Sequence, residues 1–260
     1  MTSKPECFGN WGCGVNGKAA WNMVPGDCEF DPHHPHKSKV GDESVMKSFL
    51  NTIRCKEKTI SVSKQVIDTF AILLLGIALG TFSKFLDNTA SNELPFIFEY
   101  LDIRNFLGRF AIWILIAVCI SIYSISSIRA ALNVFVFFIG MVTSYYLYSK
   151  FIAGFFPRSY AMIWFGFTAI SPLLAFICWY AKAKSKLSFV LSAIIIAVLF
   201  NMSFYYGMTY FKMRSILELI VFICGLVVLK RDTIKDSIIM TAIGIIFAFV
   251  LDLLVPFQFG

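Results

Sequence analysis

The chain has 260 residues and a formal net charge of +7, and 58% of its residues are hydrophobic while only 15% are charged. Soluble domains carry about 25% charged and 45–50% apolar residues, so this composition, with a mean hydropathy of +0.73, excludes an ordinary soluble fold and predicts a multi-spanning membrane protein. The 23 Lys and Arg are scattered between apolar runs, which disfavours nucleic acid as a partner.

Residues 1–45 are rich in Gly, Pro, Asn and His and contain no apolar run long enough for a helix, so we expect a flexible cytoplasmic tail. Within it, GCGVNGKA at residues 12–19 approaches the spacing of a nucleotide-binding loop, but Ala19 replaces the hydroxyl that binds Mg²⁺ and no strand precedes the motif. The tail also holds six potential zinc ligands at irregular spacing, namely Cys7, Cys13, Cys28, His33, His34 and His36. We therefore expect neither a cofactor nor a metal site.

Residues 46–64 are basic and amphipathic, and we expect them to lie along the cytoplasmic membrane surface. Residues 65–260 form the predicted transmembrane domain, an all-α bundle of about seven spans. Most of its apolar segments reach the length of about 20 residues that crosses the hydrocarbon core, and they cover residues 66–86, 107–127, 130–150, 160–181, 187–210, 213–229 and 237–257. All seven are predicted to be helices because lipid offers no hydrogen-bond partner to an irregular backbone.

Lysine and arginine near the span ends predict the orientation of the bundle. With a cytoplasmic N-terminus, twelve of these residues flank the inner ends: Lys47, Arg54, Lys56, Lys58, Lys64, Arg129, Lys182, Lys184, Lys186, Lys230, Arg231 and Lys235. Seven flank the outer ends: Lys84, Arg104, Arg109, Lys150, Arg158, Lys212 and Arg214. Because basic residues are enriched on the cytoplasmic side, this bias predicts that the N-terminus is inside and the C-terminus outside.

Three local patterns add detail to the spans. Gly76 and Gly80, four residues apart, permit a close approach of the first span to a neighbouring helix. The sequence LPFIFEYL in the long outer loop, about residues 87–106, predicts a short helix on the membrane surface. Pro172 interrupts the hydrogen bonding of the fourth span and frees a backbone carbonyl.

Ionisable and amide side chains inside the spans are the candidate substrate-binding residues, because they are costly in lipid and need a partner, water or an interface. We select Glu218, Asp252, Arg109 and Asn201. The two carboxylates and Arg109 converge on the outer side if the topology is right, and they would form a pocket for a cation or a proton-coupled solute. The alternative is structural, in which the carboxylates stay hydrated or pair with an arginine to orient helices. An interhelical hydrogen bond is the expected role of Asn201.

The chain resembles a family of small multi-spanning membrane proteins of Gram-positive bacteria over roughly residues 100–240. The stretches that carry the resemblance are NFLGRFAIWILIAVCISIYS, RAALNVFVFFIGMVTSYYLYS and FFPRSYAMIWFGFTAISPLLAFICWYAK. The family is uncharacterised and has no assigned activity. The resemblance therefore implies a location in the bacterial cytoplasmic membrane and nothing about catalysis.

Three classes of function remain after this reasoning. All three histidines lie in the tail, so histidine-dependent catalysis within the spans is excluded, and an enzyme is the least favoured class. A transporter or permease for a small solute, an ion or a lipid is the first hypothesis. A non-enzymatic accessory or immunity protein acting through a partner is the alternative. A transporter should show a polar cavity reached by the candidate residues, whereas an accessory protein should have its polar groups paired.

Overall fold

The computed structural model describes residue 54 and residues 61–90, 93–207 and 209–254. Over these residues the chain is an all-α helical bundle with nine helices and one small hairpin. The elements are α1 (Val62–Asn88), α2 (Phe96–Tyr100), α3 (Ile103–Gly108), α4 (Phe110–Tyr123), α5 (Ser127–Phe151), α6 (Arg158–Trp179), α7 (Lys186–Ser203), β1 (Phe204–Tyr206), β2 (Phe211–Met213), α8 (Ile216–Leu229) and α9 (Ile234–Leu254). The predicted tail and most of the segment 46–64 lie outside the described residues.

Five of these helices, α1, α5, α6, α7 and α9, are long and apolar enough to cross a membrane, which indicates a membrane protein. The other two predicted spans are helical but short, since α4 and α8 have 14 residues each. At 1.5 Å per residue they extend about 21 Å, less than the hydrocarbon core of about 30 Å. The short helix predicted within LPFIFEYL is confirmed as α2, and its location on the membrane surface stays a prediction.

Local backbone geometry explains two differences from the predicted span boundaries. The helix expected to begin at residue 107 begins at Phe110, because the backbone of Arg109 is extended and separates α3 from α4. The helix expected to reach residue 210 ends at Ser203, where β1 pairs with β2 in an antiparallel register that sets Phe204 opposite Met213. This aromatic-rich stretch suits a strand, because aromatic side chains pack well on a pleated surface.

Serine side chains cap four of the helices at their first turn. In each case the hydroxyl oxygen accepts a hydrogen bond from the backbone N–H three residues later, which satisfies a donor that has no partner within the helix. The capping residues are Ser61, Ser126, Ser185 and Ser215. These caps explain why α1, α5, α7 and α8 begin where they do.

The first long helix packs against α5 through glycine. A Cβ atom at Gly76 would overlap the carbonyl oxygen of Phe137, and one at Gly80 would overlap that of Met141. The close approach predicted from these two glycines is therefore confirmed. The opposite face of α1 exposes large apolar side chains such as Phe70, as expected of a surface in contact with lipid.

Contacts between helix ends show that the helices alternate in direction. Trp179 at the end of α6 donates to the carbonyl of Ser124 just after α4, and Arg231 after α8 donates to Ala181 just before α7. We name this end, where α1, α5, α7 and α9 begin and α4, α6 and α8 end, the basic end. The other end, which holds Arg109 and the hairpin, is the opposite end.

Candidate functional site

Glu218 and Arg109 form the most buried ion pair of the described residues. Arg109 Nη1 donates to Glu218 Oε1 at 2.8 Å, and the glutamate side chain is 0% exposed while the arginine side chain is 22% exposed. Glu218 lies in the first turn of α8, where Ser215 Oγ accepts from its backbone N–H. Its other carboxylate oxygen, Oε2, is buried and makes no hydrogen bond within the described part of the chain. The predicted approach of Arg109 to Glu218 is confirmed, and a role in substrate binding stays a prediction.

Arg214 and Asp252 lie near this pair at the opposite end. The Arg214 guanidinium lies over the Tyr205 ring at 3.9 Å from its centre. Burial lowers the pKa of Arg214, while Tyr205, Glu218 and Asp252 favour its charged form and Arg109 opposes it. Asp252 is exposed on the last turn of α9 and forms no ion pair with another described residue. The two carboxylates therefore lie at the same end of the bundle, but Glu218 is buried and Asp252 is exposed.

Asn201 joins α7 to α9, as the structural hypothesis expected. Its Nδ2 donates to the carbonyl of Ala248 at 3.0 Å, and its Oδ1 accepts from the Tyr206 hydroxyl at 2.7 Å. Tyr206 also lies 3.1 Å from the same Ala248 carbonyl. Burial raises the pKa of Tyr206 to about 12, and Asp252 adds to the shift. The amide is thus occupied by protein groups on both sides.

Four cations at the basic end bind backbone carbonyls or side-chain hydroxyls of other elements. Arg231 donates to Ala181, Ala183 and Ser188, which ties the link between α8 and α9 to the start of α7. The remaining three act similarly, namely Arg54 on Trp179 and Ile122, Arg129 on Gln65 and Thr69, and Lys182 on Val228 and Lys230. Burial lowers the pKa of Arg231 and of Lys182. The hydrogen bonds of these four side chains connect the ends of neighbouring helices.

A large apolar cavity lies between α4, α5, α6 and α7, and we name it the α4–α7 cavity. Its volume is about 360 Å³, within the range of ligand pockets. It is lined by Ile114, Ala117, Val118, Ser121, Val134, Phe138, Phe167, Ser171, Leu174, Ala175, Ile177, Cys178, Leu191, Ile194, Ile195, Val198 and Met202. Both of its hydroxyl groups bond within their own helices, Ser121 to Ala117 at 2.7 Å and Ser171 to Thr168 at 2.8 Å. The lining therefore offers a ligand carbon surface and no free hydroxyl donor from these serines.

Pro172 lies in the wall of this cavity. Because proline lacks an N–H, it leaves the carbonyl four residues earlier without its helical donor, and that carbonyl belongs to Thr168. The Ser171 hydroxyl donates to it at 2.8 Å, so the carbonyl freed by Pro172 is satisfied by the preceding side chain. Pro172 thus adds no polar group to the cavity.

The cavity opens sideways between α6 and α7. Three of its lining side chains, Leu174, Ile177 and Ile194, are 43%, 40% and 40% exposed. They continue into the exposed apolar surface of α6, which includes Ile170 and Leu173. In a membrane protein the medium outside such an opening is hydrocarbon. The cavity is therefore accessible from the bilayer.

The candidate residues selected from the sequence do not line this cavity. Arg109, Asn201, Glu218 and Asp252 also do not line a second cavity of about 30 Å³ near Tyr146 and Trp164, which has room for only one or two water molecules. No cluster of three or more potential metal ligands occurs among the described residues. The polar pocket expected of a solute transporter is thus not formed by these two cavities.

Sequence reasoning missed the α4–α7 cavity because each lining residue is an ordinary apolar or small residue of a span. The only signal is a set of small side chains, Ala117 and Ser121 on α4 and Ser171 and Ala175 on α6, which leave space where helices face one another. No protein-family model, curated protein or solved structure matches the chain, so the site is interpreted from its own geometry.

Proposed function

We propose that the protein is a lipid-binding integral membrane protein, and that the acyl chain of a membrane lipid occupies the α4–α7 cavity. The observation that carries this proposal is an apolar volume of about 360 Å³ whose lining includes exposed residues between α6 and α7. Of the solutes considered for a transporter, this cavity favours the lipid over the ion or polar molecule.

The energy of an unfilled cavity supports an occupant. An unfilled space of about 360 Å³ leaves its lining atoms without van der Waals partners on one side. Lipid tails are as apolar as the lining, so binding does not gain from the hydrophobic effect and depends on dispersion contacts. A chain that enters from the bilayer supplies those contacts without crossing water.

The lining also limits what part of the lipid can enter. A headgroup inside the cavity would lose its hydration and find no free hydroxyl donor on Ser121 or Ser171, since both hydroxyls already donate to backbone carbonyls. The chain therefore enters and the headgroup stays at the membrane surface. This geometry supports a protein that holds or presents a lipid more than a channel for polar solutes.

Photo-crosslinking tests the proposal directly. The protein is reconstituted in vesicles that contain a phospholipid with a diazirine on its acyl chain, and the labelled residues are mapped by mass spectrometry. We expect labels at Leu174, Ile194 and Val198, which line the cavity. Ile194→Trp at the opening should strongly reduce labelling of Val198. The matched control is Ile246→Trp on α9, an exposed position that is not part of the lining, and it should leave that labelling unchanged.

Two outcomes would contradict the proposal. Labels spread evenly over the exposed faces of α1 and α9 would show ordinary contact with bulk lipid. Labelling of Val198 that is unaffected by Ile194→Trp would show that the cavity is not reached through the opening. Either result removes the lipid-binding function from this site.

A non-enzymatic accessory protein is the second candidate function. The observation in its favour is that Asn201 and Arg231, both polar and embedded in the bundle, are bonded to groups of the chain itself. Under this hypothesis the opening between α6 and α7 receives an apolar helix of a protein partner. Crosslinks from Ile194 to protein and none to lipid would favour it.

We also propose the bacterial cytoplasmic membrane as the location, with the N-terminus inside. The support is the resemblance described above and the excess of basic residues at the end where α1 begins.

A further inference from the structure

The two ends of the described bundle differ in charge. The basic end carries nine cations, namely Arg54, Lys64, Arg129, Lys182, Lys184, Lys186, Lys230, Arg231 and Lys235, against three carboxylates, Asp68, Asp232 and Asp236. The opposite end carries seven cations and six carboxylates. The described residues thus give the basic end a net charge of +6 and the opposite end +1. An anionic headgroup is attracted to the basic end.

Two lysines at the basic end are not used to bind backbone carbonyls in the way that Arg231 and Lys182 are. Lys186 is exposed and forms no ion pair with a described residue. Lys184 pairs with Asp232 at 2.8 Å, but both side chains are largely exposed, and exposed pairs contribute little because water screens them. Both ammonium groups can therefore reach a phosphate at the membrane surface.

These lysines lie on the basic-end side of the α4–α7 cavity. Lys184 is in the link between α6 and α7, the two helices that border the opening, and Lys186 is the first residue of α7. Leu191, the lining residue of α7 closest to this end, follows Lys186 by five residues, about 7–8 Å along the helix axis. Long lysine stems lie along apolar surface and hold their charge at the interface.

Aromatic side chains form part of the cavity wall. The rings of Phe138 and Phe167, which line it, pack edge to face with their centres 5.4 Å apart. The Phe110 ring packs against Phe167 with a centre-to-centre distance of 5.6 Å and stacks on Trp164 at 4.4 Å. A chain that fills the cavity therefore packs against these rings. The net positive charge of the basic end favours an anionic headgroup on that side.

Resting on the lipid-binding function proposed above, we infer that the ligand is an anionic phospholipid of the leaflet at the basic end, with its headgroup held by Lys184 and Lys186. The cavity selects for a chain, and the two lysines select for net negative charge on the headgroup. A basic residue near an anionic surface strengthens attraction about fivefold. Two such residues predict roughly a 25-fold preference over a zwitterionic lipid with the same chains.

Paired lipid probes test this inference. The full-length protein in nanodiscs is crosslinked with diazirine-bearing phosphatidylglycerol or phosphatidylcholine of identical chains, and label at Val198 is quantified. We expect phosphatidylglycerol to label more strongly. The double variant Lys184→Gln, Lys186→Gln should remove most of this preference by lowering phosphatidylglycerol labelling far more than phosphatidylcholine labelling. Added inorganic phosphate should not compete, since it lacks the chain.

The matched control is the double variant Lys212→Gln, Lys235→Gln, which removes the same charge from exposed positions away from the α6–α7 link. Equal labelling by the two lipids in the wild type, or an equal loss in both double variants, would overturn the anionic preference. In that case lipid binding itself still stands if Ile194→Trp blocks the label. Failure of Ile194→Trp to block either probe would instead remove the proposed function.

Discussion

Arg109 and Glu218 are 109 positions apart in the sequence, yet Arg109 Nη1 lies 2.8 Å from Glu218 Oε1. The pair joins α4 to α8, the two helices of the bundle that are too short to cross the hydrocarbon alone. The glutamate is fully buried while the arginine keeps some access to its surroundings. The charge of Glu218 therefore depends on Arg109 for its compensation more than the charge of Arg109 depends on Glu218.

Removing the arginine should destabilise the protein more than neutralising the glutamate. Arg109→Leu leaves a buried carboxylate without its counter-charge, which costs about 3–5 kcal/mol. Glu218→Gln leaves a partly exposed guanidinium that can reach water or lipid headgroups, so the loss should be smaller. Unfolding in mixed micelles measures both free energies.

The double variant Arg109→Leu, Glu218→Leu should recover much of the loss, because it leaves no buried charge. If Glu218→Gln abolished a cellular function at unchanged stability, the structural role of the pair would be refuted and its predicted substrate-binding role supported.

The Asn201 amide should contribute modestly to the contact between α7 and α9. Asn201→Leu removes hydrogen bonds to Ala248 and Tyr206, and each interhelical bond in a membrane protein contributes about 0.6 kcal/mol. We expect a loss of about 1 kcal/mol in the free energy of unfolding. Tyr206→Phe should cost less than Asn201→Leu, since Asn201 still donates to Ala248. An equal or larger loss for Tyr206→Phe would contradict this assignment.

Replacing glycine with valine should lower stability where the glycine contacts a neighbouring helix and not where it is exposed. Gly80→Val places a side chain against the backbone of Met141 on α5, and such overpacking costs about 1–3 kcal/mol. The control is Gly166→Val on α6, where a Cβ atom meets nothing within 4 Å. Thermal unfolding should show a clear loss for the first variant only. Equal losses would show that α1 is not held by this contact.

Arg231 should not be replaceable by lysine. Its guanidinium reaches Ala183, Ala181, Ser188 and Ser192 through two nitrogen atoms, a geometry that a single ammonium cannot reproduce. We expect Arg231→Lys to lower stability by about 1–3 kcal/mol, since buried carbonyls lose their donors. The neighbouring exposed Lys230 serves as the control, with Lys230→Gln near neutral. A tolerated Arg231→Lys would contradict the proposed fastening role.

Cysteine labelling tests the predicted orientation. In a background without native cysteines, Lys235→Cys and Lys212→Cys place single thiols at the basic and opposite ends. A membrane-impermeant maleimide added to intact cells should label residue 212 and not residue 235, because the positive-inside bias places the basic end in the cytoplasm. The reverse pattern would invert the topology, and labelling of both would rule out a membrane between them.

Local physical properties of the sequence predicted the helices of this protein. A run of apolar residues must hydrogen-bond internally in lipid, so the seven segments could be assigned without knowledge of their neighbours. The approach of Gly76 to α5 and of Arg109 to Glu218 was also predictable. Small residues such as Gly76 allow a neighbouring helix to approach that face closely. Short links between consecutive helices bring residues at the same depth in the bundle close together.

Only the tertiary structure decided which side chains face lipid, protein or empty space. Asp252 and Glu218 have similar depth in the sequence pattern, but rotation of the two helices leaves the first exposed and buries the second. The strand at Phe204 replaces a helical turn because its partner residue, Met213, lies on a strand that follows nine residues later along the chain. The α4–α7 cavity depends on small residues of α4 and α6 meeting across a gap, and such a gap is a property of four packed helices that no single helix encodes.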